Sequence, residues 1–118
     1  MVSGQWSVTA KATGEAGDVE GWVGELRRVM WRDAGLLRDE QGLKRARAEL
    51  EAMRESMPVG LTRRVVEARN LHAVAEAIVR AALGREESRG AHFRTDFPEK
   101  AGVARHSVAR DGRLTFVE

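Results

Sequence analysis

The stretch that decides the fold is LTRRVVEARNLHAVAEAIVRAALGREES, residues 61–88. Its apolar side chains recur at steps of three and four residues, a spacing that places them on one face of an α-helix. That face is predicted to consist of Leu61, Val65, Ala68, Leu71, Ala75, Ile78 and Ala82. Gly90 is the expected stop, because glycine readily adopts the left-handed conformation that ends many helices. The sequence therefore predicts one long helix in this part of the chain.

A stripe of small residues runs along the same predicted helix. Ala73, Ala77 and Ala81 follow one another at four-residue steps, and Gly84 lies beyond them. Small side chains at this spacing allow a second backbone to approach closely. The pattern therefore indicates a helix that can be buried on more than one side. His72 lies amid the apolar positions, and we interpret it as a packed or half-exposed histidine rather than a ligand.

Two shorter helical patterns precede this stretch. The first begins after Asp18, a candidate N-cap, and ends near Gly35. Its apolar positions are Val19, Trp22, Val23, Leu26, Val29, Met30, Ala34 and Leu37. The second begins after Asp39, another candidate N-cap, and ends before Pro58 and Gly60. Its apolar positions are Leu43, Ala46, Leu50, Met53 and Met57. Three amphipathic helices with short connections predict an antiparallel bundle.

The chain beyond Gly90 loses the helical period. Residues 91–98 form an irregular segment, and two β-prone runs, 106–110 and 113–117, then flank Asp111 and Gly112. An Asp-Gly pair between such runs predicts a β-hairpin, because its tight turn needs positive φ at both central residues. The predicted fold class is mainly α: a three-helix bundle with an irregular segment and a C-terminal β-hairpin.

Length and composition indicate one globular domain, or a fragment of a larger protein. The chain has 118 residues, of which 42% are apolar and 32% are charged, so it is neither a membrane span nor a disordered tail. Residues 1–18 are rich in Gly, Ser, Thr and Ala, and we expect a flexible linker or tail there. Residues 19–118 are expected to form the helical domain.

Charge and cysteine counts exclude further classes of function. The 20 basic and 18 acidic residues leave a net charge of +2 with no clearly basic segment, so no nucleic-acid partner is expected. The absence of cysteine excludes disulfides and thiolate metal sites and fits a cytoplasmic location. No secretory signal and no apolar run of the about 20 residues needed for a membrane span is found. The sequence leaves the oligomeric state open.

No motif of a complete enzyme is found in the chain. No G-x-G-x-x-G follows a strand, no glycine precedes the Lys-Ser or Lys-Thr of a phosphate loop, and no serine has a G-x-S-x-G setting. His72, His92 and His106 lack metal-ligand spacing. We therefore assign no catalytic, cofactor-binding or metal-binding residue to this chain, and expect the isolated chain to be flavin-free and redox-inert.

The cluster of residues 85–98 is the best candidate for a site. One interpretation is an anion or carboxylate site with Arg89, His92 and Arg94 as donors. The interpretation that we favour is structural: Gly90 caps the long helix, Asp96 pairs with an arginine, and two phenylalanines are buried. The residues of this predicted structural motif are Arg89, Gly90, His92, Phe93, Arg94, Asp96 and Phe97.

Four stretches of the chain resemble the C-terminal domain of L-aspartate oxidase. They are LRRVMWRDAGLLRD (26–39), GL (42–43), RNL (69–71) and ALGREESRGAHFRTDFP (82–98). The string ESRGAH is shared with the wider group that includes the flavoprotein subunits of succinate dehydrogenase and fumarate reductase. The Met-Trp pair at 30–31 and the residues 93–98 favour L-aspartate oxidase within that group.

The resemblance implies a three-helix bundle that packs on the flavin-binding domain of a longer parent enzyme. That enzyme uses FAD to oxidise L-aspartate to iminoaspartate, passing electrons to oxygen or fumarate, in the first step of NAD biosynthesis. Its FAD-binding glycines and substrate-binding residues lie in upstream domains, so no catalytic residue is transferred to this chain. The cofactor of the parent would be FAD, and the partner of this chain the flavin-binding domain.

Two alternatives stay open at this point, and a third is distant. The parent could be a succinate dehydrogenase or fumarate reductase flavoprotein subunit. The chain could instead be a standalone helical interaction module that binds a partner through Trp31 and the stripe of Ala73, Ala77 and Ala81. Trp31 lies off the main stripe of the first helix, and contact with a partner or within the bundle is equally compatible with that position. Nucleic-acid binding is the distant third reading.

Overall fold

The computed structural model describes residues 16–118, and side chains from Val19 onward. The elements follow in the order α1 (Ala16–Asp33), α2 (Glu40–Ala52), a 3-10 turn (Met53–Ser56), α3 (Arg63–Gly84), β1 (His106–Arg110) and β2 (Arg113–Val117). This order confirms the predicted mainly α class with its C-terminal hairpin. Within the described residues, no helix combines the length and apolar character that a membrane span requires.

The three helices enclose one apolar core. Its buried members are Val19, Trp22, Val23, Leu26, Val29, Ala34, Leu43, Ala46, Leu50, Met53, Val65, Ala68, Ala75, Val79 and Ala82. Burial of these side chains supplies the main driving force for folding. The polar atoms inside are satisfied: the Trp22 Nε1 donates to the carbonyl oxygen of Met53 at 3.2 Å. The His72 Nε2 donates to the carbonyl oxygen of Leu50 at 2.7 Å. The ring centroids of Trp22 and His72 are 5.6 Å apart.

The buried face of α3 matches the prediction at Val65, Ala68, Ala75 and Ala82 and differs from it at three positions. His72 and Val79 lie inside, one position beyond the predicted Leu71 and Ile78, which are exposed together with Leu61. The physical reason is the hydrogen bond of the His72 Nε2 to the α2 carbonyl, which gives this polar atom a partner inside the core. As a consequence Ala73 and Ala77, together with their apolar neighbours on α3, are uncovered in this chain.

The helix ends show which capping predictions hold. α1 begins at Ala16, so Asp18 lies within the helix and not at its N-cap, whereas residues 1–15 of the predicted tail lie outside the described residues. Asp39 is confirmed as the N-cap of α2, since its Oδ1 accepts a hydrogen bond from the amide of Gly42 at 2.8 Å. Thr62 caps α3 in the same way, accepting from the amide of Val65 at 3.2 Å.

The hairpin packs on the C-terminal end of α3. Its turn has positive φ at both central residues, 53° at Asp111 and 73° at Gly112, as the sequence predicts. The Phe116 ring lies so close to Gly84 that a Cβ there would be 2.7 Å from the Phe116 Cε2. The Arg80 Nη2 also donates to the carbonyl oxygen of Gly112 at 2.9 Å. A two-stranded hairpin alone is marginal, so these contacts hold it in place.

Candidate functional site

The segment 85–101 folds back along the end of α3 toward the α1–α2 connection. Hydrogen bonds to Arg38 fix its main chain. The amide of Arg38 donates to the carbonyl oxygen of Phe93 at 3.0 Å, and the amide of Thr95 donates to the carbonyl oxygen of Arg38 at 2.7 Å. The amide of Ser88 donates to the carbonyl oxygen of Glu99 at 3.0 Å. We refer to residues 85–101 as the return segment.

Arg94 is the fully buried centre of the return segment. Its Nη1 donates to the carbonyl oxygens of Ala82 at 2.9 Å and Leu83 at 3.1 Å, which are among the last in α3 and lack a partner within the helix. A cation at this end is also favoured by the helix dipole. Arg94 therefore caps α3 from a distant part of the sequence.

Asp96 receives the other edge of the same guanidinium. Two parallel hydrogen bonds of 2.8 Å join Arg94 and Asp96. These bonds are the main reason that the pKa of Asp96 is lowered to about 2 and that the pKa of Arg94 is raised. The Asp96 Oδ2 also accepts from the amide of Glu40 at 3.1 Å, in the first turn of α2. The pair thus joins the C-terminal end of α3 to the N-terminal end of α2.

Two further polar side chains complete the return segment. The Ser88 Oγ accepts from the amide of Arg94 at 2.9 Å and donates to the carbonyl oxygen of Phe97 at 2.8 Å. The buried Glu87 carboxylate accepts from the Ala101 amide at 2.8 Å, from Arg85 at 2.8 Å and from Arg89 at 3.0 Å. The hydrogen bond from the Ala101 amide contributes most to the lowering of the pKa of Glu87.

His92 is held in one tautomer by two neighbours. Its Nε2 lies 3.0 Å from the carbonyl oxygen of Arg85, which can only accept, so the Nε2 carries the proton. Its Nδ1 then accepts from the Arg38 Nη1 at 3.1 Å. Burial lowers the pKa of His92; the bond to the Arg85 carbonyl raises it, and the nearby charges of Arg38, Arg94 and Arg85 lower it further.

Three details of the predicted motif are wrong. The helix ends at Gly84 rather than near Gly90, because Arg94 binds the terminal carbonyls and the chain turns away at Arg85. Gly90, with φ of 62°, instead lies in a tight turn in which the main chains of Arg89 and His92 exchange two hydrogen bonds. Phe93 is 39% exposed, not buried.

One further detail of the motif is as expected, and the expected burial of Phe97 is met only in part. Asp96 pairs with an arginine, Arg94. Phe97 is half-buried, with its ring centroid 4.9 Å from the Arg94 guanidinium carbon. Sequence reasoning missed the roles of Arg38, Glu87 and Ser88. The feature of the sequence that points to these three residues is their position in the stretches that carry the family resemblance.

The three donors of the predicted anion site do not converge on an open position. The guanidinium of Arg94 binds Asp96 and α3, and that of Arg89 binds Glu87 and the carbonyl oxygen of Ala101 at 3.0 Å. The His92 ring nitrogens bind Arg85 and Arg38. Most of the hydrogen-bonding capacity that would hold a ligand is thus used within the chain.

The described residues also do not fit FAD or a metal ion. The strands of residues 16–118 form only an antiparallel hairpin, so this part of the chain contains no parallel βαβ unit to position a dinucleotide. Across the same residues, no three His, Asp or Glu side chains are grouped closely enough to hold a metal ion. No step of a redox reaction is therefore assigned to these side chains.

Comparison with known families identifies this arrangement of helices and return segment. The family described as "Fumarate reductase flavoprotein C-term" matches residues 23–115, which include the C-terminal part of α1, all of α2 and α3, and most of the hairpin. A solved structure, that of Mycobacterium smegmatis Sdh1 in complex with UQ1, is similar to this fold with a TM-score of 0.67. The match covers 90% of this chain and 21% of the Sdh1 chain. At 23% sequence identity, this match shows the fold alone.

Curated relatives agree with the family. L-aspartate oxidase of Caulobacter vibrioides is 43% identical over 90 residues, covering 75% of this chain and 16% of that protein. L-aspartate oxidase of Pseudomonas aeruginosa is 36% identical over 89 residues, covering 71% of this chain and 16% of that protein. An uncharacterized FAD-dependent oxidoreductase of Methanocaldococcus jannaschii is 31% identical over 102 residues, covering 81% and 19%. The chain thus spans less than a fifth of the length of each of these relatives. It belongs to the C-terminal domain family of the fumarate reductase and succinate dehydrogenase flavoproteins, which includes L-aspartate oxidases.

Proposed function

We propose that this chain is the C-terminal helical domain of an FAD-dependent L-aspartate oxidase. In this proposal the parent enzyme is cytoplasmic and converts L-aspartate to iminoaspartate for NAD biosynthesis. The observation that carries the proposal is the 36–43% identity with L-aspartate oxidases, which extends over 89–90 residues and covers 71–75% of this chain. The FAD and the substrate would bind upstream of this chain.

The role proposed for the chain itself is to pack on the flavin-binding domain. Two observations support it: the donors of the return segment bind within the chain, and large apolar side chains are exposed at the α1–α2 connection and on α3. Exposed apolar patches mark surfaces that a partner covers. Accordingly, Arg89, Gly90, His92, Phe93, Arg94, Asp96 and Phe97 have structural roles in this proposal, and none is catalytic.

A succinate dehydrogenase or fumarate reductase flavoprotein subunit is the second candidate for the parent. The description of the matching family favours it. A standalone helical interaction module is the remaining alternative, for which the exposed Trp31 and the uncovered alanines of α3 would form the binding surface.

The test is to purify the gene product that carries this chain together with the residues encoded upstream, which we call the parent polypeptide. We expect the parent polypeptide to bind FAD and to oxidise L-aspartate with oxygen or fumarate as the electron acceptor, while the 118-residue chain alone binds no flavin. Turnover of succinate instead of L-aspartate would favour the second candidate. A gene with no flavin-binding domain upstream would favour the interaction module.

A further inference from the structure

The last turn of α1, the α1–α2 connection and the return segment each carry exposed apolar side chains. Trp31 is 75% exposed, Leu36 76% and Leu37 69%, and Phe93, whose main chain bonds to Arg38, is 39% exposed. We call Trp31, Leu36, Leu37 and Phe93 the corner patch. Single exposed apolar residues are common on proteins, but several at one end of a small bundle indicate a surface that a partner covers.

The backbone beneath the corner patch is held in a fixed position. A Cβ at Gly35 would lie 2.5 Å from the carbonyl oxygen of Trp31, so the chain turns at a place that only glycine fits. The buried Asp33 carboxylate at the end of α1 accepts hydrogen bonds from Arg32 and Arg45. The main-chain bonds of Arg38 to Phe93 and Thr95 fix the other side. The patch is therefore preformed, which lowers the cost of docking.

Arg38 supplies a charge at the edge of the corner patch. Its Nε donates to the carbonyl oxygen of Gly35 at 3.0 Å and its Nη1 to His92, but within the described residues it forms no salt bridge. Burial lowers its pKa, and no carboxylate offsets that cost. By contrast, the half-buried Arg85 and the buried Arg94 each pair with a carboxylate of the chain.

We propose that the corner patch is the surface that docks on the flavin-binding domain, with Arg38 paired to a carboxylate of that domain. This inference rests on the proposed function. The occupant follows from two observations: more than four-fifths of the length of the relatives lies outside this chain, and a half-buried cation beside apolar side chains fits an apolar surface that presents an acidic group.

Side-chain labelling by hydroxyl radicals tests which surface is covered. We expect the labelling of Trp31, Leu36 and Leu37 to fall several-fold in the parent polypeptide relative to the 118-residue chain. The labelling of Val74 and Ile78 on α3 serves as the internal control and is expected to change less. Equal labelling of the corner patch in the two samples would overturn the proposal, as would protection confined to α3.

Matched variants of the parent polypeptide provide the second test. Leu36→Ser with Leu37→Ser is expected to increase cleavage by protease between the domains, because both side chains are exposed in the chain and lose only their contact with the partner. Val74→Ser with Ile78→Ser is the control of equal chemistry. Arg38→Gln is expected to act like the leucine pair, with partial rescue by Arg38→Lys, which keeps the charge. Unchanged cleavage in both corner variants would overturn the proposal. Failure of the proposed function is distinguishable, because it shows as loss of FAD binding or of L-aspartate turnover in the unmodified polypeptide.

Discussion

Arg94 donates two parallel hydrogen bonds to Asp96, each 2.8 Å long, from a guanidinium that is completely buried. The remaining nitrogen of that group binds the last carbonyl oxygens of α3, and the carboxylate binds the first turn of α2. One ion pair therefore holds three segments that are distant in the sequence. This relationship makes the stability of the domain depend on a charged pair as well as on its apolar core.

Arg94→Ala is the first prediction. We expect it to lower the free energy of unfolding of the chain by about 3–5 kcal/mol, because it leaves Asp96 and the carbonyl oxygens of α3 without their partner. Arg94→Lys should not restore stability, since an ammonium group lacks the planar fork that binds both sides. Denaturation with urea measures both variants. The control is Arg63→Ala, which removes an exposed ion pair and should cost no more than about 0.5 kcal/mol; equal losses at the two positions would contradict the assigned role of Arg94.

The two phenylalanines of the return segment are predicted to differ. Phe97→Ala should cost about 1–2 kcal/mol in the isolated chain, because the half-buried ring lies against the Arg94 guanidinium. Phe93→Ala should cost less than about 1 kcal/mol there, because its ring is substantially exposed. Thermal unfolding of the 118-residue chain compares the two variants. A larger loss for Phe93→Ala would show that its ring is buried in solution.

Gly84→Ala tests how the hairpin is held. The added methyl group would approach the Phe116 ring to 2.7 Å, so the hairpin must shift, and overpacking of this kind costs about 1–3 kcal/mol. In the background of Phe116→Ala the same substitution should be neutral or stabilising, because the close contact is gone and alanine favours helix more than glycine does. Urea denaturation of the two single variants and the double variant measures this reversal. Additive effects would show that Gly84 and Phe116 are not in contact.

Acid is predicted to weaken the contact between His92 and Arg38. The pKa of His92 is lowered in the folded chain from its ordinary value of about 6.5, so the unfolded chain binds the proton more readily. The contribution of His92 is therefore fully present above about pH 6.5 and is lost as the pH falls through the lower folded-state pKa. Protonation would also turn the Nδ1 into a donor facing the Arg38 guanidinium.

His92→Gln provides the measurement for this prediction. Glutamine can donate to the Arg85 carbonyl and accept from Arg38, but it does not titrate. Between about pH 7.5 and pH 5, the unfolding free energy of the unmodified chain should therefore fall more steeply than that of His92→Gln. Asp96, whose pKa is lowered to about 2, titrates below this range. His106→Gln, the same substitution at an exposed strand position, is the matched control variant. Identical slopes for His92→Gln and the unmodified chain would refute the assignment.

The sequence predicts the elements of this fold better than their ends and faces. Apolar periodicity places all three helices, and the Asp111–Gly112 turn places the hairpin, because both signals are local. The end of α3 depends on Arg94, which lies ten residues beyond Gly84. No local pattern reports such a contact, and the local signals therefore favour Gly90 as the end of the helix. The inner position of His72 likewise depends on a carbonyl group of α2.

The same distinction holds for the candidate site. The pairing of Asp96 with an arginine is predictable from composition, since opposite charges lie within two residues of each other. The burial of Arg94 in place of Phe93 is not predictable, because charged residues are seldom fully buried. Only the surrounding carbonyl oxygens make that burial favourable. The docking role of Trp31 and Arg38 depends on exposure and on an absent salt bridge within the described residues, which only the folded chain reveals.

Reduction of the flavin in the parent polypeptide tests the central claim most directly. Under anaerobic conditions, the loss of absorbance of the oxidised flavin reports electron transfer from the substrate without any electron acceptor. If the chain is the C-terminal domain of an L-aspartate oxidase, L-aspartate should reduce the flavin rapidly, whereas succinate at the same concentration should reduce it slowly or not at all. Rapid reduction by succinate, with no reduction by L-aspartate, would contradict this account.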